Sequence, residues 1–104
     1  MPVRLLSVLL VLSPVSTLAA GDPDAAKGLL VEYCADCHAM PDHVAPATGL
    51  PAPSFTTIAD DQDVYTEERL RASLEQPHWP MGGLILSPSD IDNILAYLAT
   101  LRHR

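Results

Sequence analysis

The sequence predicts an all-α fold, and two observations lead to that prediction. Three segments carry apolar residues at helical spacing behind residues that favour a helix N-terminus, and no convincing alternating strand occurs. Ten prolines against five aromatic residues indicate short elements joined by stiff loops rather than a sheet-rich core. The 104 residues allow one domain, since domains typically hold about 100–150 residues.

The first 20 residues have the pattern of a cleaved export signal. A basic residue at Arg4 precedes an apolar run at 5–12, which is shorter than the ~20 residues that a membrane span needs. Cleavage is expected after Ala19, which leaves Thr17 at the −3 position, or after Ala20. We expect residues 1–20 to be removed and residues 21–104 to form a periplasmic domain without a stable membrane span. An uncleaved membrane anchor is the alternative.

Charge and length limit what residues 21–104 can do. They hold all 13 acidic side chains and five basic ones, for a formal charge of −8, and nucleic-acid binding would need clustered Lys and Arg instead. P-loop, GxSxG and GxGxxG motifs are absent from the sequence. A domain of 84 residues usually needs a disulfide, a metal or another staple to complete its core.

The first two helices are predicted from their starts and stops. Asp22-Pro23 provides an N-cap and a proline at the first helical position, and the second helix begins after Thr66 and ends before Pro77. The apolar positions of the first are Ala26, Leu29, Leu30 and Tyr33, and those of the second are Leu70 and Leu74. The run Asp60-Asp61-Gln62-Asp63 between them is expected to be a solvated turn.

The third helix has the strongest start signal. Ser87 is followed by Pro88 and, three residues on, by Asp90, which is the spacing of a capping arrangement. Its apolar positions are Ile91, Ile94, Leu95, Leu98 and Leu101. Arg102 and Arg104 close the helix, where cations are favoured. Four prolines between residues 41 and 53 predict a loop there.

The chemistry is indicated by Cys34-Ala35-Asp36-Cys37-His38. Two thiols separated by two residues can add across the two vinyl groups of one haem, and the adjacent histidine then reaches the iron, so this is the attachment signal of haem c. A structural disulfide would not need the histidine, a thioredoxin-like pair needs a βαβ context, and a closed zinc site needs four N or S ligands. We predict that Cys34 and Cys37 hold one haem covalently and that His38 binds its iron.

Two further features accompany that motif: Met81 in Trp79-Pro80-Met81-Gly82, and Tyr97-Leu98 near the end. With these features, the chain resembles the small single-haem class I c-type cytochromes. The resemblance covers essentially all of residues 21–104. It implies the class I cytochrome c fold, with about three main helices wrapped around one haem. It also implies that the first and last helices cross, with Gly28 admitting an aromatic side chain and Tyr33 and Tyr97 at the matching positions.

The sixth iron ligand has five candidates: Met40, Met81, His43, His78 and His103. Met40 follows His38 by two residues and starts on the same side of the haem, whereas Met81 lies in a proline-flanked loop between two helices. We predict Met81, with His78 as the alternative, and expect His43 and His103 to be exposed. A sulfur ligand opposite imidazole raises the reduction potential relative to two histidines.

The resemblance also implies partners for the haem and its histidine. A proline carbonyl should accept the other ring N–H of His38, and Pro53 matches best, with Pro51 as the alternative. Phe55 is then a haem-wall residue, or an ordinary core residue. Trp79 either donates to a haem propionate or is buried along the haem edge.

The expected function is outer-sphere electron transfer between redox-protein partners, with Fe3+/Fe2+ cycling and no catalytic residue. The alternatives are a haem c subunit of a larger periplasmic oxidoreductase, or a peroxidase or gas-binding protein if the sixth position is open. The acidic charge predicts basic docking surfaces on the partners, although it could serve solubility alone. The candidate patch is Asp60, Asp61, Asp63, Glu67 and Glu68.

Overall fold

The computed structural model describes residues 1–5, 7–13, 21–41, 43, 52–77 and 81–103. These ranges contain four helices: α1 (Pro23–Tyr33), α2 (Phe55–Asp60), α3 (Glu67–Glu75) and α4 (Pro88–Thr100). The described ranges contain no strand, only an isolated bridge between Met40 and His43. The all-α prediction is therefore confirmed.

The amino-terminal residues 1–5 and 7–13 have no regular secondary structure. No helix within the described ranges is both long enough and apolar enough to cross a membrane. The predicted cleavage positions Ala19 and Ala20 lie outside the described residues.

Side chains cap the three predicted helices at the predicted positions. Asp22 accepts the Asp24 N–H at 2.9 Å in α1, and the Thr66 hydroxyl accepts the Arg69 N–H at 3.2 Å in α3. In α4 the capping box is reciprocal, because the Ser87 hydroxyl accepts the Asp90 N–H and the Asp90 carboxylate accepts the Ser87 N–H, both at 3.0 Å. The helix starts are therefore confirmed. α4 ends at Thr100, so Arg102 lies beyond it, and Arg104 is outside the described residues.

The short helix α2 was not predicted. Ser54 caps it by accepting the Thr57 N–H at 3.1 Å, and Phe55, Ile58 and Ala59 are buried. Asp60 is its last residue, so the expected turn begins one residue later than the acidic run. The position of α2 matters for the functional site, because its first residue, Phe55, lies two residues after Pro53.

The core is built on α4, against which α1, α2 and α3 each pack. α1 makes the most extensive of these contacts. The buried cluster consists of Ala26, Leu30, Cys34, Ala35, Met40, Phe55, Ile58, Ala59, Ile94, Tyr97 and Leu98. Leu70 and Leu74 of α3 pack against this cluster while half-buried, and Arg71 pairs with Asp92 at 3.0 Å to join α3 to α4.

The expected role of Gly28 and Tyr33 in the contact between the first and last helices is wrong. Gly28 is exposed with no atom within 4 Å of a Cβ built there, and Tyr33 is 59% exposed. α1 turns Ala26 and Leu30 toward the core, and residue 28 lies about 200° around the helix from either. The close approach occurs at Gly21, where a Cβ would lie 2.1 Å from the carbonyl oxygen of Asp92.

Candidate functional site

The two cysteines and the histidine of the motif occupy a tight turn at the end of α1. Cys34 caps the helix through its N–H to the Leu30 carbonyl at 2.9 Å, and Ala35 donates to the same oxygen at 2.8 Å. Cys37 and His38 then donate their N–H groups to the Cys34 carbonyl at 3.2 and 2.9 Å. These turns bring both thiols and the imidazole to one end of α1.

The thiols of Cys34 and Cys37 are free, with Cys34 buried and Cys37 half-buried. Burial raises the pKa of the Cys34 thiol above its usual value, and the nearby Cys37 adds to that rise. No disulfide joins Cys34 to Cys37. Free thiols are the groups that attachment to haem vinyls requires.

The imidazole of His38 is oriented by a backbone carbonyl. Its Nδ1 lies 2.7 Å from the carbonyl oxygen of Pro53. A carbonyl oxygen can only accept, so Nδ1 carries the proton and Nε2 of the neutral ring keeps its lone pair. A histidine that binds a metal through one nitrogen commonly donates from the other in this way. The donor set therefore fits a haem iron at Nε2.

Phe55 packs flat against the imidazole of His38. The two ring centroids are 5.2 Å apart and the ring planes differ by 14°. The backbone N–H of Phe55 also donates to the Ala39 carbonyl at 3.0 Å. Its other neighbour is Tyr97 of α4, whose ring meets that of Phe55 edge-on at 6.4 Å and 82°. Phe55 and Tyr97 were singled out separately from the sequence, but no sequence pattern indicated that the rings of His38, Phe55 and Tyr97 pack in one row.

Met81 lies between α3 and α4, half-buried. Its carbonyl accepts the Leu84 N–H at 3.1 Å, which closes a turn through the exposed glycines Gly82 and Gly83. Met40 is instead buried in the core at 8% exposure, as a residue beside the motif would be. The structure thus places the two methionines considered as ligands, Met40 and Met81, in different environments.

The histidines considered as sixth ligands fall in different places. His43 is half-buried, where an exposed position was expected. His103 is exposed, and its ring and backbone N–H both contact the carboxylate of Asp60. His78, Trp79 and Pro51 lie outside the described residues.

The side chains of Cys34, Cys37, His38 and Met81 are of the kinds that a haem c site uses. Two thiols, an imidazole and a thioether are the groups that covalent attachment and His/Met axial ligation use. Within the described ranges, no group of three or more His, Cys, Asp or Glu side chains could hold a metal ion, as a closed zinc site would require.

Comparison with known proteins adds an independent finding. The chain is similar to a protein named cytochrome c-552 from Bradyrhizobium diazoefficiens, with 34% identity over 95 residues. That similarity covers 91% of this chain and 89% of the relative. No family model matches the chain, and no solved structure matches it.

Proposed function

Because the chain belongs to the c-type cytochromes, we propose that it is a periplasmic single-haem electron carrier with His38 and Met81 as axial ligands. Membership of this family implies a covalently bound haem c and a role in electron transfer. The observation that carries the proposal is the Pro53 carbonyl on Nδ1 of His38, because it leaves Nε2 as the metal-binding nitrogen beside two free thiols.

Each residue of the site has a distinct task in this proposal. Cys34 and Cys37 form the thioether links, and His38 presents Nε2 while its hydrogen bond to Pro53 raises the basicity of the ring. Met81 supplies a soft sulfur, which favours the ferrous state and raises the potential. The bound haem supplies the iron that exchanges one electron, and no proton or substrate bond takes part.

Covalent attachment is tested by removing both thiols. Cys34→Ala combined with Cys37→Ala should lose most of the holoprotein, because the haem is part of the core of so short a domain. The measurement is the yield of folded protein and of covalent haem after denaturation and acid extraction. Normal amounts of stable, haem-free folded protein would show that the haem is not needed for the core.

Axial ligation is tested by optical spectroscopy and redox titration of the exported, haem-loaded protein. Met81→Ala should keep covalent haem, lower the potential and allow added cyanide or imidazole to bind, whereas the control His78→Ala should keep the parental potential. A parental potential in Met81→Ala, together with a lowered one in His78→Ala, would assign the sixth position to His78. Ligand binding by the unaltered protein would instead favour a gas-binding or peroxidase role.

The described contacts redirect the docking proposal. Asp60 is contacted by His103, the Asp61 side chain accepts the Val64 N–H at 3.3 Å, and Glu67 lies 3.8 Å from Arg71. The remaining acidic side chains of the patch are Asp63 and Glu68. We propose that they face basic surfaces of redox partners, and that the leader directs the chain to the periplasm.

Docking is tested with a strongly basic soluble redox protein as the probe. The electron-transfer rate should fall between low salt and ~0.15 M, where the Debye length is about 8 Å. Asp63→Lys with Glu68→Lys should flatten that dependence. A parental rate that is independent of salt would remove electrostatic steering and leave solubility as the role of these charges. Copurification with a partner at moderate salt would instead indicate a fixed subunit.

A further inference from the structure

We infer that Phe55 is a positioning residue that sets the plane of the His38 imidazole, and that Tyr97 holds Phe55 in place. The inference rests on the proposed role of His38 as an iron ligand. The rings of Tyr97, Phe55 and His38 form one row from α4 to the ligand. This row orients the plane of the imidazole, which neither the hydrogen bond to Pro53 nor the Cys-x-x-Cys-His motif does.

Two restraints on His38 act on different motions of its ring. The hydrogen bond to the Pro53 carbonyl fixes where Nδ1 lies but leaves the ring free to swing about the line joining Nδ1 to that oxygen. The last torsion of a histidine side chain has no sharp intrinsic minimum, so neighbouring groups decide the angle. The near-parallel packing of Phe55, 14° from the imidazole plane, favours the observed ring angle, because a rotation of the imidazole would break this stacked contact.

Both restraints come from one short segment. Pro53 and Phe55 stand on either side of the Ser54 cap of α2, and the Phe55 N–H is tied to the Ala39 carbonyl, directly after His38. A shift of this segment would therefore carry the hydrogen bond and the stacking partner together. The plane of the ligand is thus set relative to α2 rather than by the flexible torsions of His38.

Phe55 is itself held from the far side. It is 6% exposed, and the edge-on ring of Tyr97, 3% exposed on α4, leaves it little room to tilt. Edge-to-face contact has a preferred geometry, so it specifies an orientation and not only a volume. Through Phe55, the long helix α4 thereby supports the orientation of the His38 ring.

The orientation of an axial imidazole has a spectroscopic signature separate from protein stability. In low-spin ferric haem, the plane of the ring sets the splitting of the iron d orbitals that lie out of the haem plane. That splitting appears in the anisotropy of the electron paramagnetic resonance g values and in the spread of the haem-methyl proton shifts. Both can change while the two ligands stay the same.

The experiment records both spectra for the ferric holoprotein and its variants. Phe55→Leu removes the flat ring but keeps apolar bulk, and it should shift the g values and reorder the haem-methyl resonances. Phe55→Tyr keeps a flat ring and should retain the parental pattern. Ile58→Val trims another buried residue of α2 and is the matched control, expected to lower stability without moving either spectrum. Tyr97→Leu should move the spectra in the same direction as Phe55→Leu, but less.

The outcomes separate this inference from the proposed function. A parent protein without low-spin histidine-ligated iron overturns the proposed function itself. A low-spin parent whose g values and methyl shifts persist in Phe55→Leu overturns the role of Phe55 and leaves the electron carrier standing. Phe55→Met provides the same test if Phe55→Leu fails to fold, and an unchanged pattern in it has the same meaning.

Discussion

His38 and Met81, the two proposed iron ligands, lie in regions that differ in the contacts that hold them in place. Around His38, residues 34–40 are joined to residues 53–60 by a hydrogen bond, a ring stack and a backbone contact to Ala39. Around Met81, the described residues 81–86 contain one turn closed by a single backbone bond, and Ile85 is 95% exposed. We call these regions the histidine side and the methionine side.

The difference shows how one small domain can divide two tasks. The histidine side contains residues of the buried core, so a substitution there should first lower the free energy of unfolding. Among the described residues of the methionine side, only Leu86 packs against the core, so a substitution at Met81 should first change ligand binding and the reduction potential. Each of the following predictions compares matched residues from the two sides or removes a contact from one of them.

The largest effect is expected for truncation of Phe55. Phe55→Ala removes a ring that is 6% exposed, and it should lower the free energy of unfolding by roughly 3–5 kcal/mol through lost burial and the cavity left behind. Ile85→Ala, on the methionine side, should change it by about 0.5 kcal/mol or less. Denaturant unfolding of the holoproteins measures both. Equal losses would mean that the two sides are packed alike.

A smaller effect is expected from adding a methyl group to glycines. Gly21→Ala should lower stability by roughly 1–3 kcal/mol, because its Cβ would meet backbone atoms of Asp92 that cannot move aside cheaply. Gly83→Ala on the methionine side has no atom within 4 Å and should stay within about 0.5 kcal/mol of the parent. Gly28→Ala should raise stability by roughly 0.5–1 kcal/mol as an exposed position inside α1. A Gly21→Ala protein as stable as the parent would show that Gly21 does not pack closely against the backbone of Asp92.

The smallest effect concerns the contact that ties α2, on the histidine side, to the residues after α4. The backbone N–H of His103 first, and its ring second, hold the pKa of Asp60 below its usual value. Asp60 therefore binds fewer protons when folded, and its stabilisation is present above the ordinary Asp pKa of about 3.9 and lost as the pH falls through the lowered one.

Asp60→Asn should accordingly be less stable than the parent near neutral pH, and the difference should vanish in acid. Thermal unfolding across a pH series measures this. The control is Asp63→Asn, whose exposed carboxyl belongs to the same acidic run. A difference between parent and Asp60→Asn that persists unchanged at low pH would mean that the contact does not depend on the carboxylate charge.

The sequence predicted the parts of the fold whose signals are local. Asp22, Thr66 and Ser87 each cap a helix because a short polar side chain can reach back to an N–H within its own turn. α2 was not predicted, because six residues are too few to display a helical period and because its N-cap, Ser54, directly follows a proline-rich segment. The described part of the chain therefore contains four helices where three were expected.

The parts of the site that depend on contacts between residues far apart in the sequence were harder to predict. The resemblance favoured Pro53 and left Pro51 as the alternative, and the structure brings the Pro53 carbonyl to His38 across 15 residues. Resemblance directed attention to Gly28, whereas the close approach is at Gly21, because the face of α1 that meets α4 depends on how the two helices pack. The motif itself needed no tertiary information, since its residues are neighbours in sequence.

The hydrogen bond from the Asp22 N–H to Asn93 Oδ1, at 2.8 Å, joins residues 71 positions apart. Closing a loop of that length costs roughly 4 kcal/mol in chain entropy, apart from a constant. Ala26 and Leu30 can offset this cost only once α4 has been synthesised, because α4 is the surface against which the other three helices pack. The growing chain must therefore carry Cys34 and Cys37 through synthesis without a completed core, and the burial of Cys34 waits for the last helix.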